Sequence, residues 1–136
     1  MQEGEEKEEE RSRKTVYTDN APKPIGPYSQ AIVVNGFVYT AGQGANDPKT
    51  GKWGGGDIKE QTALVLENIK AVLEAAGSSL DRVVKTSVFI QRKELFAEMN
   101  EVYARYFATS PPARTTVVSN LLRDDMLVEI DAIATV

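Results

Sequence analysis

Hydrophobic residues recur at every second position in several short stretches of the chain, and at helical spacing in two longer ones. Alternation of apolar and polar residues predicts half-buried β-strands. An Asn-Gly pair between two apolar runs, here Asn35-Gly36, is typical of a tight β-hairpin. The predicted strands are residues 14–18, the two halves of 30–42, residues 82–91, and two stretches that start at Ala113 and Leu127.

The first helix is predicted to begin at Asp57. Asp57 is a favourable N-cap residue, and Glu60 stands three positions later, where it completes a capping box. Gly77 is a natural stop signal for this helix. The apolar stripe between them consists of Ile58, Thr62, Val65, Ile69, Val72 and Ala76.

A second amphipathic helix is predicted within residues 94–108. Pro111 and Pro112 follow it, and proline cannot continue a helix. Its apolar row consists of Leu95, Met99, Val102 and Tyr106.

The order of these elements predicts an α+β fold class: a single domain with a mixed, mostly antiparallel β-sheet and two helices packed on one face. In the last strand, alternate residues from Val128 to Val136 suit the core beneath the helices. The other set is part polar and part apolar, which fits burial against another subunit better than exposure to water. An oligomer is therefore expected. This second set is Leu127, Glu129, Asp131, Ile133 and Thr135.

The composition is that of a soluble globular protein of one domain. The chain has 136 residues, of which 41% are hydrophobic and 26% charged, and it contains no Cys and no His. Disulfides, thiolate nucleophiles, thiolate metal sites and an imidazole base are therefore excluded. The net charge of −4 and the lack of a stripe of Lys and Arg argue against a large phosphate-binding face.

The amino terminus differs from the remainder. Six glutamates and four basic residues crowd the first fourteen positions, where Val and Leu are absent. We therefore predict a disordered charged tail over residues 1–13 and the folded domain over 14–136. The tail lacks the apolar centre of a signal peptide, and no apolar run reaches the length of a membrane helix, so a cytoplasmic location without membrane association is expected.

Two charged residues stand within otherwise apolar strands: Arg114 in "PPARTTV" and Glu129 in "LVEIDAIATV". They could be a solvated strand-end arginine and an ion-paired carboxylate on an open sheet face. They could equally form a cleft in which the guanidinium binds a carboxylate and Glu129 handles water or a proton. The pattern alone leaves both interpretations open.

A family resemblance favours the cleft. The segments "APKPIGPYSQA", "TAGQ", "LENIKAVLEAAGSSLDRVVKTSVFI", "MNEVYARYF", "PPARTTV" and "VEIDAIA" resemble, in order and spacing, the Rid family of reactive intermediate deaminases, also called YjgF-like proteins. The resemblance covers about Lys14 to Val136. It implies a chorismate-mutase-like fold, a homotrimer with active sites between subunits, and no metal or cofactor. It also implies hydrolysis of 2-enamines and 2-imines, such as 2-aminoacrylate and 2-iminobutanoate, to 2-keto acids and ammonia.

The resemblance also implies roles for individual residues. Arg114 would bind the substrate carboxylate, Glu129 would position the attacking water, and Tyr28 would reach the pocket. Ala41, Gly42, Asn100 and Thr116 would line the substrate site, although Asn100 could instead be a buried, hydrogen-bonded structural residue.

Several positions depart from the family pattern. Ala41 stands where a serine is common, Thr116 where a cysteine is frequent, and Leu122 where a proline is frequent. Gly44 and Ala45 replace a bulky residue and a proline, and we expect this change to enlarge the pocket.

Two alternative functions stay open. One is RNA cleavage or inhibition of translation, which the acidic balance of the chain disfavours. The other is a non-catalytic trimer that binds small keto acids or protects other proteins in a chaperone-like way.

Overall fold

The computed structural model describes residues 11–136, in which two α-helices pack on a sheet of six strands. Two short 3₁₀ turns, Leu80–Arg82 and Lys93–Leu95, stand directly before the fourth strand and the second helix respectively. In chain order the elements are β1 Lys14–Val16, β2 Ala31–Val34, β3 Phe37–Thr40, α1 Ile58–Ala75, β4 Val83–Ile90, α2 Phe96–Tyr106, β5 Ala113–Val118 and β6 Val128–Thr135.

The strands are ordered β1-β2-β3-β6-β4-β5 across the sheet. Neighbouring strands are antiparallel except β4 and β5, which are parallel. Helix α2 connects these two strands, because a parallel pair requires a crossover between its strands. The predicted α+β class and mostly antiparallel mixed sheet are confirmed.

The predicted hairpin is also present. Asn35 and Gly36 both have positive φ, at 52° and 78°, which is the backbone conformation of a type I′ turn. The first strand is shorter than predicted, because it ends at Val16 and the chain then turns towards Gln30. The Thr18 amide donates to Oε1 of Gln30 at 2.7 Å, so a side chain replaces the strand partner there.

Helix α1 begins as predicted. The Glu60 amide donates to Oδ1 of Asp57 at 2.8 Å, and the Asp57 amide donates to Oε1 of Glu60 at 3.3 Å. Both halves of the capping box are therefore formed. The chain leaves the helix at Gly77, whose φ of 82° favours glycine.

Both helices cover the same face of the sheet. They contact each other through an ion pair between Lys59 and Glu101 and through the Tyr106 hydroxyl, which donates to the Ala63 carbonyl. The core beneath them contains alternate residues of β6, as predicted: Val128, Ile130, Ala132 and Ala134. The predicted core position of Val136 is wrong. Its side chain is 45% exposed because it follows the end of β6 at Thr135.

The second face of the sheet carries no helix in the described part of the chain. Glu129, Asp131 and Ile133 of β6 are half-buried there, as the alternation predicted. Phe37 and Tyr39 of the neighbouring β3 are 37% and 43% exposed. This open face is thus the mixed polar and apolar surface that the sequence indicated.

Residues 1–10 of the predicted tail lie outside the described residues. Within residues 11–136, neither helix combines the length and hydropathy needed to cross a bilayer.

The capping box yields a stability prediction. Replacement Asp57→Ala removes the acceptor of the Glu60 amide, so the free energy of unfolding should fall by about 1 kcal/mol. Urea denaturation at matched protein concentration measures this change. The control Asp81→Ala removes an exposed carboxylate from a turn without a side-chain cap, and should change stability by less than about 0.5 kcal/mol. Equal losses in both variants would contradict the capping role.

Candidate active site

The predicted site residues fall into two clusters on opposite faces of the sheet. Arg114 of β5 pairs in register with Thr86 of β4, whose hydroxyl lies 2.7 Å from the Tyr103 hydroxyl of α2. Arg114 is therefore on the helix-covered face. Glu129 of β6 pairs with Phe89 and alternates with core residues, so it lies on the open face. One subunit does not bring Arg114 and Glu129 into a shared cleft.

The first group, which we call the arginine cluster, consists of Arg114, Asn100, Tyr103, Phe96 and Phe107. One guanidinium nitrogen of Arg114 donates to Oδ1 of Asn100 at 2.8 Å. The guanidinium carbon lies 4.8 Å from the centre of the Tyr103 ring and 5.5 Å from that of Phe96. Two aromatic faces and one amide thus fix the cation at the sheet edge by cation–π contacts and a charge-assisted hydrogen bond.

The arginine cluster borders a surface cavity of about 450 Å³. Among residues 11–136, no carboxylate lies within salt-bridge distance of Arg114. A guanidinium has five N–H donors, and its fork matches the geometry of a carboxylate. The cluster can therefore accept an anionic group from outside the subunit.

Asn100 was open to two interpretations, and the structure supports the structural one. Its side chain is half-buried and accepts the hydrogen bond that orients Arg114. Direct contact between Asn100 and a ligand stays a prediction. Thr116 lies two residues after Arg114 on the same face of β5, where it pairs with Val88.

The second group, which we call the glutamate cleft, contains Glu129, Tyr28, Gly42 and Gln43 on the opposite side. These residues border a cavity of about 80 Å³. A Cβ atom on Gly42 would lie 3.0 Å from the carboxyl carbon of Glu129, so the absence of a side chain there gives the carboxylate its space. The Tyr28 side chain is 50% exposed, and its hydroxyl accepts a hydrogen bond from the Ile25 amide at 3.3 Å.

Ala41, which was predicted to line the substrate site, does not border this cavity. Its amide donates to the Gln30 carbonyl at 2.8 Å, which holds the start of the Gly42 loop against β2. The expected enlargement of the pocket by Gly44 stays a prediction; in this structure a Cβ atom on Gly44 would lie 2.9 Å from Cε of Met126. Met126 therefore occupies the space that a bulkier residue 44 would take.

The environment of Glu129 favours its protonated form. Burial raises the pKa of Glu129 above its ordinary value, and the negative charge of Asp131 raises it further. Burial also raises the pKa of Asp131, against the opposing effect of its hydrogen bonds with Ser87. A carboxylate with a raised pKa is a stronger base, so it is suited to accept a proton from a water molecule.

Sequence reasoning missed two functional features of these clusters. Tyr103, whose ring stacks on Arg114, was not among the predicted site residues, and its pKa is raised above the ordinary value chiefly by burial. No sequence pattern indicated a role for Met126, because its contact with Gly44 joins residues that are far apart in the chain. Within residues 11–136, no three acidic side chains come together as a metal site.

Comparison with known proteins identifies the family. The sequence model of the family described as "Endoribonuclease L-PSP" matches residues 18–136, which is most of the chain. A "RutC family protein" of Pyrococcus horikoshii is 57% identical over 122 residues, covering 90% of this chain and 97% of its own. The chain belongs to the Rid family, also known as YjgF/RutC.

Solved structures of Rid relatives agree with this fold. The "conserved Rid protein family" member YyfA of Yersinia pestis superposes with a TM-score of 0.88 at 45% identity, covering 92% of this chain and 100% of its own. TdcF of Escherichia coli, solved with bound serine, superposes with a TM-score of 0.85 at 39% identity, covering 90% and 98%. The chorismate-mutase-like fold implied by the sequence resemblance is thereby confirmed.

The interaction between the two acidic residues of β6 can be measured. Replacement Asp131→Asn removes a negative charge beside Glu129, so the pKa of Glu129 should fall while remaining above its ordinary value because of burial. Carboxyl ¹³C NMR titration of both proteins reports this shift. Asp125→Asn is the matched control, since Asp125 is paired with Arg123 and does not contribute to the pKa of Glu129. An unchanged Glu129 titration in Asp131→Asn would refute the coupling.

Proposed function

We propose that this Rid protein is a hydrolytic deaminase that converts 2-imino acids and their 2-enamine tautomers to 2-keto acids and ammonia. The observation that carries the proposal is the Arg114 guanidinium, which is oriented by Asn100 and Tyr103 and has no carboxylate partner among residues 11–136. A fixed cation with free donors at a cavity is a receptor for a small carboxylate.

Glu129 provides the second requirement of the reaction. Hydrolysis needs a water molecule held at the imine carbon and a group that accepts one of its protons. Glu129 is half-buried, has a raised pKa, and borders a cavity with the Tyr28 phenol. These properties suit a carboxylate that positions water and acts as a base.

The separation of the two clusters implies that each site is shared. Arg114 and Glu129 lie on opposite faces of one sheet, so a single substrate can contact both only if they come from different subunits. The open face of the sheet, with Phe37 and Tyr39 exposed, supplies a surface for such an assembly. We therefore propose a homotrimer in which Arg114 of one subunit faces the glutamate cleft of the next.

The proposed chemistry balances without a cofactor. A 2-enamine first gains a proton at its β-carbon and becomes the protonated 2-imine. Water then adds to the C=N carbon with loss of a proton to Glu129, which gives a neutral carbinolamine. The nitrogen takes that proton back from Glu129, the C–N bond breaks, and ammonia leaves as the hydroxyl group loses its proton and the C=O bond forms. Arg114 holds the carboxylate throughout, so catalysis depends mainly on orientation and one proton acceptor.

The relatives give further support. TdcF of Escherichia coli was solved with serine, a small molecule with a carboxylate next to an amino-bearing carbon. A 2-imino acid has the same arrangement. The family description "Endoribonuclease L-PSP" points instead to RNA. The net charge of −4 does not favour that activity here, and RNA cleavage that weakens with salt would be its signature.

Conservative variants test the two roles. Arg114→Lys keeps the charge but loses the planar fork, so transition-state binding should weaken by about 1–3 kcal/mol, seen in kcat/KM. Glu129→Gln keeps the size but removes the base, so kcat should fall roughly 100-fold. A steady-state assay with 2-iminobutanoate generated in situ measures both. The exposed α2 residues Arg105 and Glu98 supply the controls Arg105→Lys and Glu98→Gln, which should match the wild type. If Glu129→Gln turned over substrate as fast as the wild type, Glu129 would not act as a base, and its role would be to hold the water molecule by a hydrogen bond.

Mixing experiments test whether the site is shared. If Arg114→Lys and Glu129→Gln subunits are co-refolded, each mixed trimer contains one site with both native residues. Equal mixing should then restore about one quarter of the wild-type activity. Light scattering should give a mass of three subunits for every preparation. Activity no greater than that of the parent variants would show that each site is built within one subunit.

A further inference from the structure

Two buried amide side chains of α1 lie behind the glutamate cleft. Gln61 and Asn68 are each 1% exposed, although amide side chains are usually found at the surface. Their spacing along the helix corresponds to about two turns, so both side chains face the same side of α1. Neither residue borders the cavity that contains Glu129. Any influence on that cavity therefore passes through the residues that the two amides contact.

Gln61 holds the loop between β5 and β6. Its side-chain nitrogen donates to the Gly56 and Asp125 carbonyls, and its oxygen accepts from the Leu127 amide, each at 2.9 Å. Asp125 and Leu127 flank Met126, whose side chain borders the cavity. These hydrogen bonds thus fix the backbone on both sides of Met126.

Asn68 holds the opposite wall of the cleft, which is the loop that follows β3. Its side-chain nitrogen donates to the Asn46 carbonyl at 2.9 Å and to the Gly44 carbonyl at 3.2 Å, and both of these residues border the cavity. The preceding residue, Gln43, exchanges two backbone hydrogen bonds with Ile130 of β6, at 2.8 and 3.1 Å. This loop is therefore held between the last strand and α1.

The two walls pass close to the side chains inside the cleft. A Cβ atom on Gly42 would lie 3.0 Å from the carboxyl carbon of Glu129, and one on Gly44 would lie 2.9 Å from Cε of Met126. Such distances are shorter than the optimal separation of two carbon atoms, so the loop backbone has little room to move inwards. The place of the Glu129 carboxylate and its access to water thus depend on the spacing of the walls.

An amide is suited to both positions by its hydrogen-bonding groups. It carries donors on its nitrogen and an acceptor oxygen, and Gln61 uses both kinds. A carboxylate at position 61 would direct acceptor oxygens at the carbonyls of Gly56 and Asp125. An apolar side chain there would leave these buried main-chain groups without their partner, which is costly.

We propose that Gln61 and Asn68 are positioning residues for the imine hydrolysis described above, an inference that rests on that proposed function. The two amides fix both walls of the glutamate cleft to α1, which is itself anchored by its buried apolar face. They thereby set the place and the burial of the Glu129 carboxylate. Arg114 lies on the other face of the sheet and is outside their reach.

The titration of Glu129 tests this proposal without requiring catalysis. Burial is the main cause of the raised pKa of Glu129. When Gln61→Met or Asn68→Leu releases one wall, water gains access to the carboxylate, and the pKa of Glu129 should fall towards its ordinary value. Carboxyl ¹³C NMR titration measures the change. A wild-type pKa in either variant would remove that residue from the proposal.

Steady-state kinetics separate positioning from substrate binding. Because Arg114 is not displaced, the KM for 2-iminobutanoate should change less than about threefold in both variants. Misplacement of the Glu129 carboxylate should lower kcat about tenfold or more. An increase in KM with an unchanged kcat would show that the two amides do not position the carboxylate.

Two other variants of α1 serve as matched controls. Thr62→Val removes a buried hydroxyl that donates to the Ile58 carbonyl within the helix, and so leaves both walls in place. Val72→Ala leaves a cavity in the core and lowers the free energy of unfolding. Both should keep the wild-type kcat and the wild-type pKa of Glu129 under conditions in which they are folded. A loss of kcat in Val72→Ala as large as in Gln61→Met would assign the effect to lost stability and overturn the proposal.

Hydrogen exchange of the wild-type protein provides a test that does not depend on the folding of any variant. The Leu127 amide and the side-chain amide protons of Gln61 and Asn68 should exchange about as slowly as the backbone amides of β6, because they are hydrogen-bonded and shielded from water. Exchange as fast as that of exposed loop amides would show that the walls are not held and would overturn the proposal.

The outcomes also separate this inference from the deaminase proposal. If the wild type hydrolyses no imine, the proposed function fails, and the Glu129 titration decides whether the amides position the carboxylate. If the wild type is active and both variants keep its kcat and its Glu129 pKa, the deaminase proposal stands and the positioning roles of Gln61 and Asn68 are refuted.

Discussion

The alternation of side chains along β6 is the constraint on which the remainder of the structure depends. β6 lies between β3 and β4, and its even-numbered residues from Val128 to Ala134 are buried beneath the helices. Because the period of a strand is two residues, a slip of one position would place Glu129 and Asp131 in the apolar core. The hydrophobic effect on one face therefore fixes the position of the acidic residues on the other.

The same alternation explains the division of the candidate chemistry. Arg114 is stabilised by aromatic rings and an amide of α2, whereas the carboxylate of Glu129 depends on a loop without a side chain at Gly42. A sheet one layer thick keeps these groups apart and prevents them from neutralising each other. Arg114 therefore keeps a charge that is available to a substrate, and Glu129 keeps its raised pKa. A buried ion pair between them within one subunit would remove both properties.

Local signals in the sequence predicted much of the fold. The Asp57–Glu60 capping box and the Asn35-Gly36 turn depend on neighbours three residues apart or fewer, and both are present. The early end of β1 depends on Gln30, twelve residues from its partner Thr18, and was not predicted. The packing of Met126 over Gly44 likewise joins distant segments. Arg114 and Glu129 were found from their unusual strand positions, but the face that each occupies requires the register of the sheet.

Gln61 has a consequence for how this protein can change through evolution. Within the described chain, its side chain bonds to main-chain atoms of Gly56, Asp125 and Leu127, and not to any loop side chain. The shape of the β5–β6 loop is therefore specified by a helix residue, while the identity of the loop's outward side chains is left unspecified. Substitutions at the tip of this loop can accumulate without altering its path. The buried amide of Gln61 thus allows the backbone shape of the β5–β6 loop to be conserved while the side chains on the loop surface vary.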